Sequence, residues 1–255
     1  MNTTGFVTRY RLLETIGAGG MGVVYRDWDR LRCEMVALKQ VNLHAERSPV
    51  APHTDTHAFS LSLMQEFRTL ASLRHPHIVP VYDFGFYTKQ QPFFTMQFLE
   101  QAKPITDYVK SCGMEEKLQC LWQALHALWY LHRRHILHRD LKPSNILMNQ
   151  NRVMLVDFGL SIALGKTGES GGTLGYLAPE LLGGDPASIS SDLYAFGVVT
   201  YELFCGRLPF PITDLVSIRK LFLTRFANKP CEQKPASFLI FCASAWQYFG
   251  ALPTN

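Results

Sequence analysis

The sequence lacks any apolar run that could cross a membrane as a helix. Its most apolar stretch, Ala236 to Phe249, falls short of the roughly 18 consecutive apolar residues that a spanning helix needs. Residues 1–8 also lack the basic and apolar regions of a secretory signal peptide. We therefore expect a protein without a clear membrane segment, located in the cytoplasm.

Cysteine and basic residues are present, but neither forms a cluster. None of the six cysteines lies in a C-x-x-C pair, so a zinc site or a redox motif of that kind is not indicated. Their scattered spacing in a chain of this size is typical of reduced thiols. The net charge of +4 comes from basic residues spread along the chain, which suits phosphate-bearing ligands but forms no nucleic-acid patch. No nucleic-acid partner is therefore expected.

The bulk composition is that of an ordinary globular protein. Hydrophobic residues make up 47% of the chain and charged residues 18%, which argues against disorder. A chain of 255 residues is long enough for one large domain or for two lobes around a cleft.

The most informative stretch is residues 138–145, with the sequence HRDLKPSN. Twelve residues after Asn145 comes the triplet DFG at 157–159. An aspartate that can accept a hydroxyl proton, followed by an asparagine and a second aspartate that can hold Mg²⁺, is what phosphoryl transfer from ATP requires. The pattern resembles the catalytic loop and metal-binding motif of protein kinases.

This resemblance implies a role for each polar residue of the stretch. Asp140 would accept the proton of the acceptor hydroxyl as the catalytic base, and Lys142 would neutralise charge on the γ-phosphate. Asn145 and Asp157 would hold Mg²⁺, so ATP and Mg²⁺ are the implied cofactors. A lysine two residues after the catalytic aspartate resembles serine/threonine kinases, which implies protein partners with Ser or Thr acceptors. Ser144 weakens a preference for basic peptides.

A glycine-rich segment, GAGGMG at residues 17–22, follows strand-forming residues. Its spacing alone also fits a dinucleotide-binding fingerprint, which needs a helix after the last glycine. The β-branched and aromatic residues at 23–25 favour a second strand instead. We interpret the segment as a hairpin flap over ATP, with Val24 matching the valine that follows the kinase glycine loop.

Lys39 closes the sequence VALK and resembles the strand lysine that contacts the α- and β-phosphates. Such a lysine should be held by a carboxylate on a nearby helix, and Glu66 in the helical pattern of residues 64–73 supplies one. Glu46 is a weaker candidate because prolines interrupt its segment. By resemblance, the ATP-contacting residues are Gly17, Ala18, Gly19, Gly20, Met21, Gly22, Val24, Ala37, Lys39, Met96, Gln97, Leu99 and Leu147.

Residues 157–180 resemble an activation segment that ends in Ala-Pro-Glu at Glu180. By the same resemblance, Thr173 would hydrogen-bond near Asp140 and belongs to the catalytic set. A segment of this kind favours a protein acceptor over a small molecule.

Thr167 and Ser170 are candidate phosphosites within that segment. A phosphate on either could order the segment by pairing with Arg139, the residue before the catalytic aspartate. An unmodified loop is the alternative interpretation.

A helix is predicted over residues 115–134, with apolar positions at Leu118, Leu121, Leu125 and Leu128. Trp122 and Trp129 are expected to pack in the same core. By resemblance, Asp192 in a later buried helix would brace the backbone of the catalytic loop. His138 is expected to be structural rather than catalytic, packing near Phe158.

The resemblance fades after Phe210. Residues 231–255 contain no arginine that could pair with Glu180, and a buried unpaired carboxylate costs about 3–5 kcal/mol. Glu232 and Lys234 are the only charged residues of this aromatic tail. Three interpretations stay open: a divergent final helix packed on the C-lobe, a short hydrophobic anchor, and an aberrant end left by a frameshift or truncation, which we favour.

The sequence thus predicts an α+β, bilobal protein-kinase-like fold with a small β-rich N-lobe and a mainly helical C-lobe. The predicted divisions are an extension at 1–9, a kinase domain at 10–230 (N-lobe 10–97, linker 98–101, incomplete C-lobe 102–230) and an atypical tail at 231–255. The expected activity is that of an ATP- and Mg²⁺-dependent serine/threonine protein kinase, similar to bacterial kinases of the eukaryotic (Hanks) type. A nucleotide-binding pseudokinase and an inactive truncated fragment are the alternatives.

Overall fold

The computed structural model describes residues 9–19, 22–41, 64, 67–88, 91–158 and 174–210, and the structural statements below concern these residues. An antiparallel sheet forms the first part of the chain, and helices dominate the second. The predicted α+β class, with a β-rich first lobe and a mainly helical second lobe, is confirmed.

Five strands form the first sheet in the spatial order β1-β2-β3-β5-β4, and all neighbours in it are antiparallel. The strands are β1 (Tyr10–Gly19), β2 (Gly22–Asp29), β3 (Glu34–Val41), β4 (Val81–Thr88) and β5 (Gln91–Gln97). The β1–β2 pairing extends from Gly19 opposite Gly22 to Tyr10 opposite Asp29. A strand therefore follows the last glycine, which confirms the predicted hairpin and excludes the dinucleotide-binding alternative.

The helical residues 67–71 lie against the first sheet. Leu70 and Leu73 are buried, and the Phe67 ring lies 5.3 Å from the ring of Phe84 in β4. These contacts belong to the main apolar core.

The second part begins with a three-stranded sheet, β6-β7-β8, and continues into helices. Its elements are β6 (Lys103–Pro104), α1 (Ile105–Tyr108), α2 (Met114–His132), β7 (Ile146–Asn149), β8 (Arg152–Leu155), α3 (Pro179–Leu182) and α4 (Ile189–Cys205). The α4 helix has a clear start and end. Ser188 accepts a hydrogen bond from the backbone of Ser191 at 3.3 Å, and the helix ends at Gly206, whose φ of 66° is left-handed.

One apolar core runs through both parts and includes residues of β3, β5, α2, β8 and α4. Backbone bonds add to this connection, because the Val79 amide donates to Leu155 O at 3.0 Å and the Leu155 amide donates to His77 O at 2.9 Å. The segment after the helical residues 67–71 is thereby fixed to β8, which lies beside the DFG triplet.

The amphipathic α2 helix is confirmed, but two of its predicted core residues were wrong. Leu121, Leu125 and Leu128 are buried, whereas Leu118 is 52% and Trp122 49% exposed. Because successive residues of a helix are about 100° apart, a residue three before Leu121 or one after it lies on the flank of the buried face. Trp129 is half-buried, with the guanidinium of Arg133 at 5.4 Å from its ring.

Asp27 is a fully buried carboxyl group in the first sheet. Neither of its oxygens makes a hydrogen bond of good geometry within the described residues. Burial raises the pKa of Asp27 to about 6, the charge of Asp29 raises it further, and the backbone amides of Arg11 and Trp28 lower it only in part. The folded protein therefore holds this proton at a pH where the unfolded chain has lost it.

We predict that Asp27→Asn makes the protein more stable at pH 7 and flattens its stability between pH 4 and 6. A carboxyl group with a raised folded-state pKa contributes stability at low pH that is lost as the pH rises towards about 6, and the amide cannot ionise. Urea unfolding midpoints measured across this range check the prediction. The exposed Asp107→Asn is the control, and an unchanged pH slope in Asp27→Asn would show that this carboxyl group does not carry the effect.

Candidate active site

The Asp192 carboxylate holds the backbone that leads into the predicted catalytic loop. It lies in the first turn of α4 and is 2% exposed. Its oxygens accept hydrogen bonds from the amides of His138 at 2.7 Å and Arg139 at 2.8 Å, and His132 Nε2 lies 2.8 Å from Oδ2. Burial opposes ionisation, but these hydrogen bonds and the nearby His138 hold the pKa of Asp192 below its usual value. The predicted bracing role is confirmed.

The backbone of the site contains two non-glycine residues in the left-handed region. The φ angles are 67° at Arg139 and 59° at Asp157. Such conformations cost on the order of 1 kcal/mol or more and persist where surrounding contacts impose them. At Arg139 the imposing contact is the hydrogen bond from its amide to Asp192.

His138 occupies an enclosed position next to Arg139, near the carboxylates of Asp140, Asp157 and Asp192. Its side chain is fully buried, and its ring centre lies 6.3 Å from that of Phe158. Burial lowers the pKa of His138, which favours the neutral ring. The predicted structural role beside Phe158 is confirmed.

The two oxygens of Asp140 have different surroundings. Oδ2 lies 2.8 Å from Lys142 Nζ and accepts a hydrogen bond from Asn145 Nδ2 at 3.1 Å. The same Asn145 nitrogen also donates to the Asp140 carbonyl oxygen at 2.8 Å. Oδ1 is buried and has no hydrogen-bond partner among the described residues. One carboxylate oxygen is thus fixed, and the other is left available as an acceptor.

A short 3₁₀ turn at Pro143–Asn145 sets this arrangement. Pro143 is the first residue of the turn, where a backbone N–H would have no partner within the turn. The Asn145 amide donates to Lys142 O at 2.9 Å. The Val156 amide then donates to Asn145 O at 3.0 Å. That bond brings the residue before Asp157 against the catalytic loop.

Lys39 connects the first sheet to the DFG triplet. Its side chain is 5% exposed, and Nζ lies 2.7 Å from Asp157 Oδ1. The predicted carboxylate partner, Glu66, lies outside the described residues. The described partner of this buried lysine is therefore a predicted metal ligand, so Lys39 and the predicted metal site share one carboxylate.

The glycines of the β1–β2 hairpin are not equivalent. A Cβ on Gly22, whose φ is 135°, would lie 1.9 Å from Gln40 O, so this position needs glycine for the fold itself. A Cβ on Gly19 would meet nothing within 4 Å, and one on Gly17 would only reach Val24 at 4.0 Å. There is therefore open space beside the backbone of Gly17 and Gly19, but not beside that of Gly22.

The predicted adenine-pocket residues belong to β2, β3, β5 and β7 and share the main apolar core. Ala37 in β3 is paired with Met96 in β5, and both are buried, while Val24 and Leu147 pack half-buried against the same core. At the end of β5, the Gln97 amide donates to Pro80 O at 3.0 Å, and in the predicted linker Leu99 O accepts from the Ala102 amide at 3.4 Å. These two backbone groups are used within the protein.

Several predicted residues lie outside the described part of the chain and stay predictions: Gly20, Met21, Glu66, Thr167, Ser170 and Thr173. Gly19, Gly22 and Ala18 occupy the paired ends of the hairpin as predicted. Glu180 is half-buried, and no ion pair found among the described residues involves it.

Two supporting residues were missed by sequence reasoning. His132, at the end of α2, contacts Asp192, and Glu202 in α4 accepts a hydrogen bond from the Tyr176 hydroxyl at 2.7 Å. Neither residue lies in a recognisable motif. The sequence around each of them does not indicate these contacts, because Asp192 and Tyr176 are distant from His132 and Glu202 along the chain.

The donor set suits a hard divalent cation. The Asn145 nitrogen is used in bonds to Asp140, so its carboxamide oxygen is the group that can bind a metal, together with the Asp157 carboxylate. Oxygen ligands of this type are those that Mg²⁺ prefers. No group of three His, Cys, Asp or Glu side chains suited to a metal occurs among the described residues.

In the described part of the chain, no helix is long and apolar enough to cross a membrane.

We predict that Gly22→Ala destabilises the protein by on the order of 2 kcal/mol or more, because a Cβ is strained at this φ and collides with backbone. The matched control is Gly19→Ala in the same hairpin, which should change stability little. Thermal unfolding of both variants checks the prediction. Equal losses at the two glycines would contradict it.

We predict that Asp192→Asn lowers the free energy of unfolding by about 2–4 kcal/mol, since an amide cannot accept both backbone hydrogen bonds and bind His132 as the carboxylate does. Urea unfolding followed by circular dichroism measures the loss. Asp185→Asn, an exposed aspartate just before α4, is the control. A loss no larger than that of the control would contradict the bracing role.

Comparison with known proteins agrees with this geometry. A family model described as protein kinase domain matches residues 10–244. The chain is 32% identical over 223 residues to the probable serine/threonine-protein kinase PknB of Lactococcus lactis, covering 84% of this chain and 34% of the relative. It is 32% identical over 219 residues to the serine/threonine-protein kinase PrkC of Bacillus subtilis, covering 82% and 32%. It is 37% identical over 216 residues to the DNA damage-responsive serine/threonine-protein kinase RqkA of Deinococcus radiodurans, covering 79% and 30%.

The chain spans about a third of the length of these curated relatives. All three relatives are bacterial proteins named as serine/threonine kinases, as the resemblance of the catalytic loop predicted. The match to the family model covers most of the chain and includes every described residue of the candidate site. The chain therefore belongs to the protein kinase domain family.

Proposed function

We propose that this chain transfers the γ-phosphate of ATP to Ser or Thr hydroxyls of protein substrates, with Asp140 as the catalytic base. The observation that carries the proposal is the asymmetric carboxylate of Asp140. Its Oδ2 is bound by Lys142 and Asn145, and its Oδ1 is buried without a partner among the described residues. A hydroxyl group that enters the site finds one fixed acceptor.

In this mechanism the acceptor hydroxyl donates its hydrogen bond to Asp140 Oδ1, which orients the attacking oxygen and receives its proton. Lys142 is already held 2.8 Å from the other oxygen of the same carboxylate. Its ammonium group would face the transferred phosphate and offset the negative charge that develops there.

Asn145 and Asp157 would hold Mg²⁺, which supplies positive charge to the phosphate oxygens of ATP when bound. Lys39 now contacts Asp157 Oδ1 and would contact the phosphates in the complex. Met96, Ala37, Val24 and Leu147 would enclose the adenine.

Regulation through Thr167 or Ser170 also remains part of the proposal. Arg139 Nε is buried and has no hydrogen-bond partner among the described residues, so a phosphate could satisfy it. We further infer a cytoplasmic location, since the scattered cysteines are typical of reduced thiols.

We predict that Asp140→Asn lowers phosphate transfer from γ-labelled ATP with Mg²⁺ by about 100-fold or more while ATP binding persists, because the amide cannot accept a proton. Label transfer to the protein itself and to a generic protein substrate is the measurement. Asp185→Asn should label like the parent chain. Equal labelling by parent and Asp140→Asn would remove Asp140 as the base, and Mg-ATP binding without any transfer by the parent would indicate a pseudokinase.

A further inference from the structure

The fold brings basic residues from three separate segments to one surface. The segments are residues 67–80, residues 117–139 in and after α2, and the β7–β8 hairpin at 146–155. None of the three contains an aspartate or a glutamate. We call the side chains that meet there the basic patch, and they are Arg74, His75, His77, His126, Tyr130, Arg134 and Arg152.

Tyr130 in α2 is the centre of these contacts. Its hydroxyl accepts a hydrogen bond from the Arg74 amide at 2.9 Å, and the Arg134 guanidinium lies 3.8 Å from the centre of its ring. The ring centre of His75 lies 4.8 Å from that of Tyr130. Stacking on an aromatic ring fixes the plane of a guanidinium and leaves its N–H edge available. Because Arg134 is exposed, a ligand can reach that edge.

His77 extends the basic patch to β8. Its ring centre lies 5.6 Å from that of His75, and its Nδ1 lies 3.0 Å from Val153 O. Burial lowers the pKa of His77, and the nearby Arg152 and His126 lower it further, against the hydrogen bond to Val153. The exposed Arg152 therefore belongs to the same local field as the histidines.

No acidic group offsets this charge within the described residues. Arg74, Arg134 and Arg152 are exposed, and none of them takes part in an ion pair found there. Burial lowers the pKa of His75 to about 4, and its basic neighbours lower it further. The folded protein thus keeps like charges together, and an anionic partner would remove that repulsion.

The dipole of α2 accounts for only part of this pattern. Arg133 and Arg134 follow the C-terminal end of the helix, where cations are favoured. Arg74 and Arg152 come from other segments, so the dipole does not explain their positions. A site for an anionic partner accounts for all three segments.

We propose that the basic patch binds an acidic segment of a partner protein, with Asp or Glu side chains against its arginines. A guanidinium group binds a carboxylate through two parallel hydrogen bonds, which suits such a segment. The ring of Tyr130 is already in contact with Arg134 and His75, which disfavours the stacking of a base that single-stranded nucleic acid would need. The patch includes none of the candidate active-site residues, so this binding requires neither ATP nor phosphate transfer.

This sequence does not itself supply such a segment. Its longest run of acidic residues is Glu115–Glu116. The tail at 231–255 lies outside the described residues, so its three interpretations stay predictions, and Glu232 and Lys234 are its only charged side chains. The occupant that we propose is therefore an Asp- or Glu-rich segment of another protein.

Fluorescence anisotropy of a fluorescein-labelled oligoglutamate peptide, titrated with the full chain, tests the proposal. The test variant carries Arg134→Gln and Arg152→Gln. The matched control carries Arg11→Gln and Arg30→Gln, which remove the same charge from exposed arginines of β1 and of the turn after β2. We expect the dissociation constant to rise about tenfold or more in the test variant, since two charge-assisted contacts are lost, and to change little in the control. Circular dichroism checks that both variants are folded.

Two results of this titration would contradict the proposal. One is an equal dissociation constant for the two double variants, and the other is no binding by the parent chain at low ionic strength, where exposed charges are least screened. A labelled oligothymidylate of the same charge is titrated in parallel. If it binds the parent chain more tightly than the peptide and loses affinity in the same test variant, the patch is a nucleic-acid site and the proposal is wrong.

Discussion

The buried carboxylate of Asp192 is the interaction on which the arrangement of the site depends. It is placed by the start of α4, and it binds the two backbone amides that lead into Asp140. Because the charge is buried, it is stable only with its full set of hydrogen bonds, so the loop and the helix cannot move independently at low cost. The left-handed backbone at Arg139 follows from this constraint, and the direction of the Asp140 side chain follows from the backbone.

Hydrogen bonds and an ion pair connect the remaining parts of the site to that loop. Asn145 binds both the carbonyl and the carboxylate of Asp140, and the Asn145 carbonyl in turn receives the Val156 amide. Lys39 then joins Asp157 to the first sheet through a buried ion pair. The sheet, the catalytic loop and Asp157 therefore form a continuous set of polar contacts, and a cation and nucleotide bound as proposed would have to compete for the Lys39–Asp157 contact.

The sequence predicted this site well because its chemistry lies in short segments. HRDLKPSN and DFG contain the reacting groups in order, and the β-branched residues after Gly22 were enough to predict a hairpin. Burial that depends on distant segments was harder to predict. Leu118 and Trp122 have the right spacing for core residues, yet their exposure is decided by what lies beside α2. His132 and Glu202 lie in no motif, and their partners come from other elements. The buried carboxyl group of Asp27 is an exception to the usual preference of strands for apolar interiors.

Amide hydrogen exchange at His138 and Arg139, followed by NMR on the full chain, tests the central role of Asp192 most directly. If the two amides are held by the buried carboxylate, they should exchange only when the whole protein unfolds, with the same free energy as the buried Val198 and Val199 amides of α4. Exchange at the rate of an exposed loop, such as the segment around Asp185, would show that the carboxylate does not hold the loop and would contradict this account.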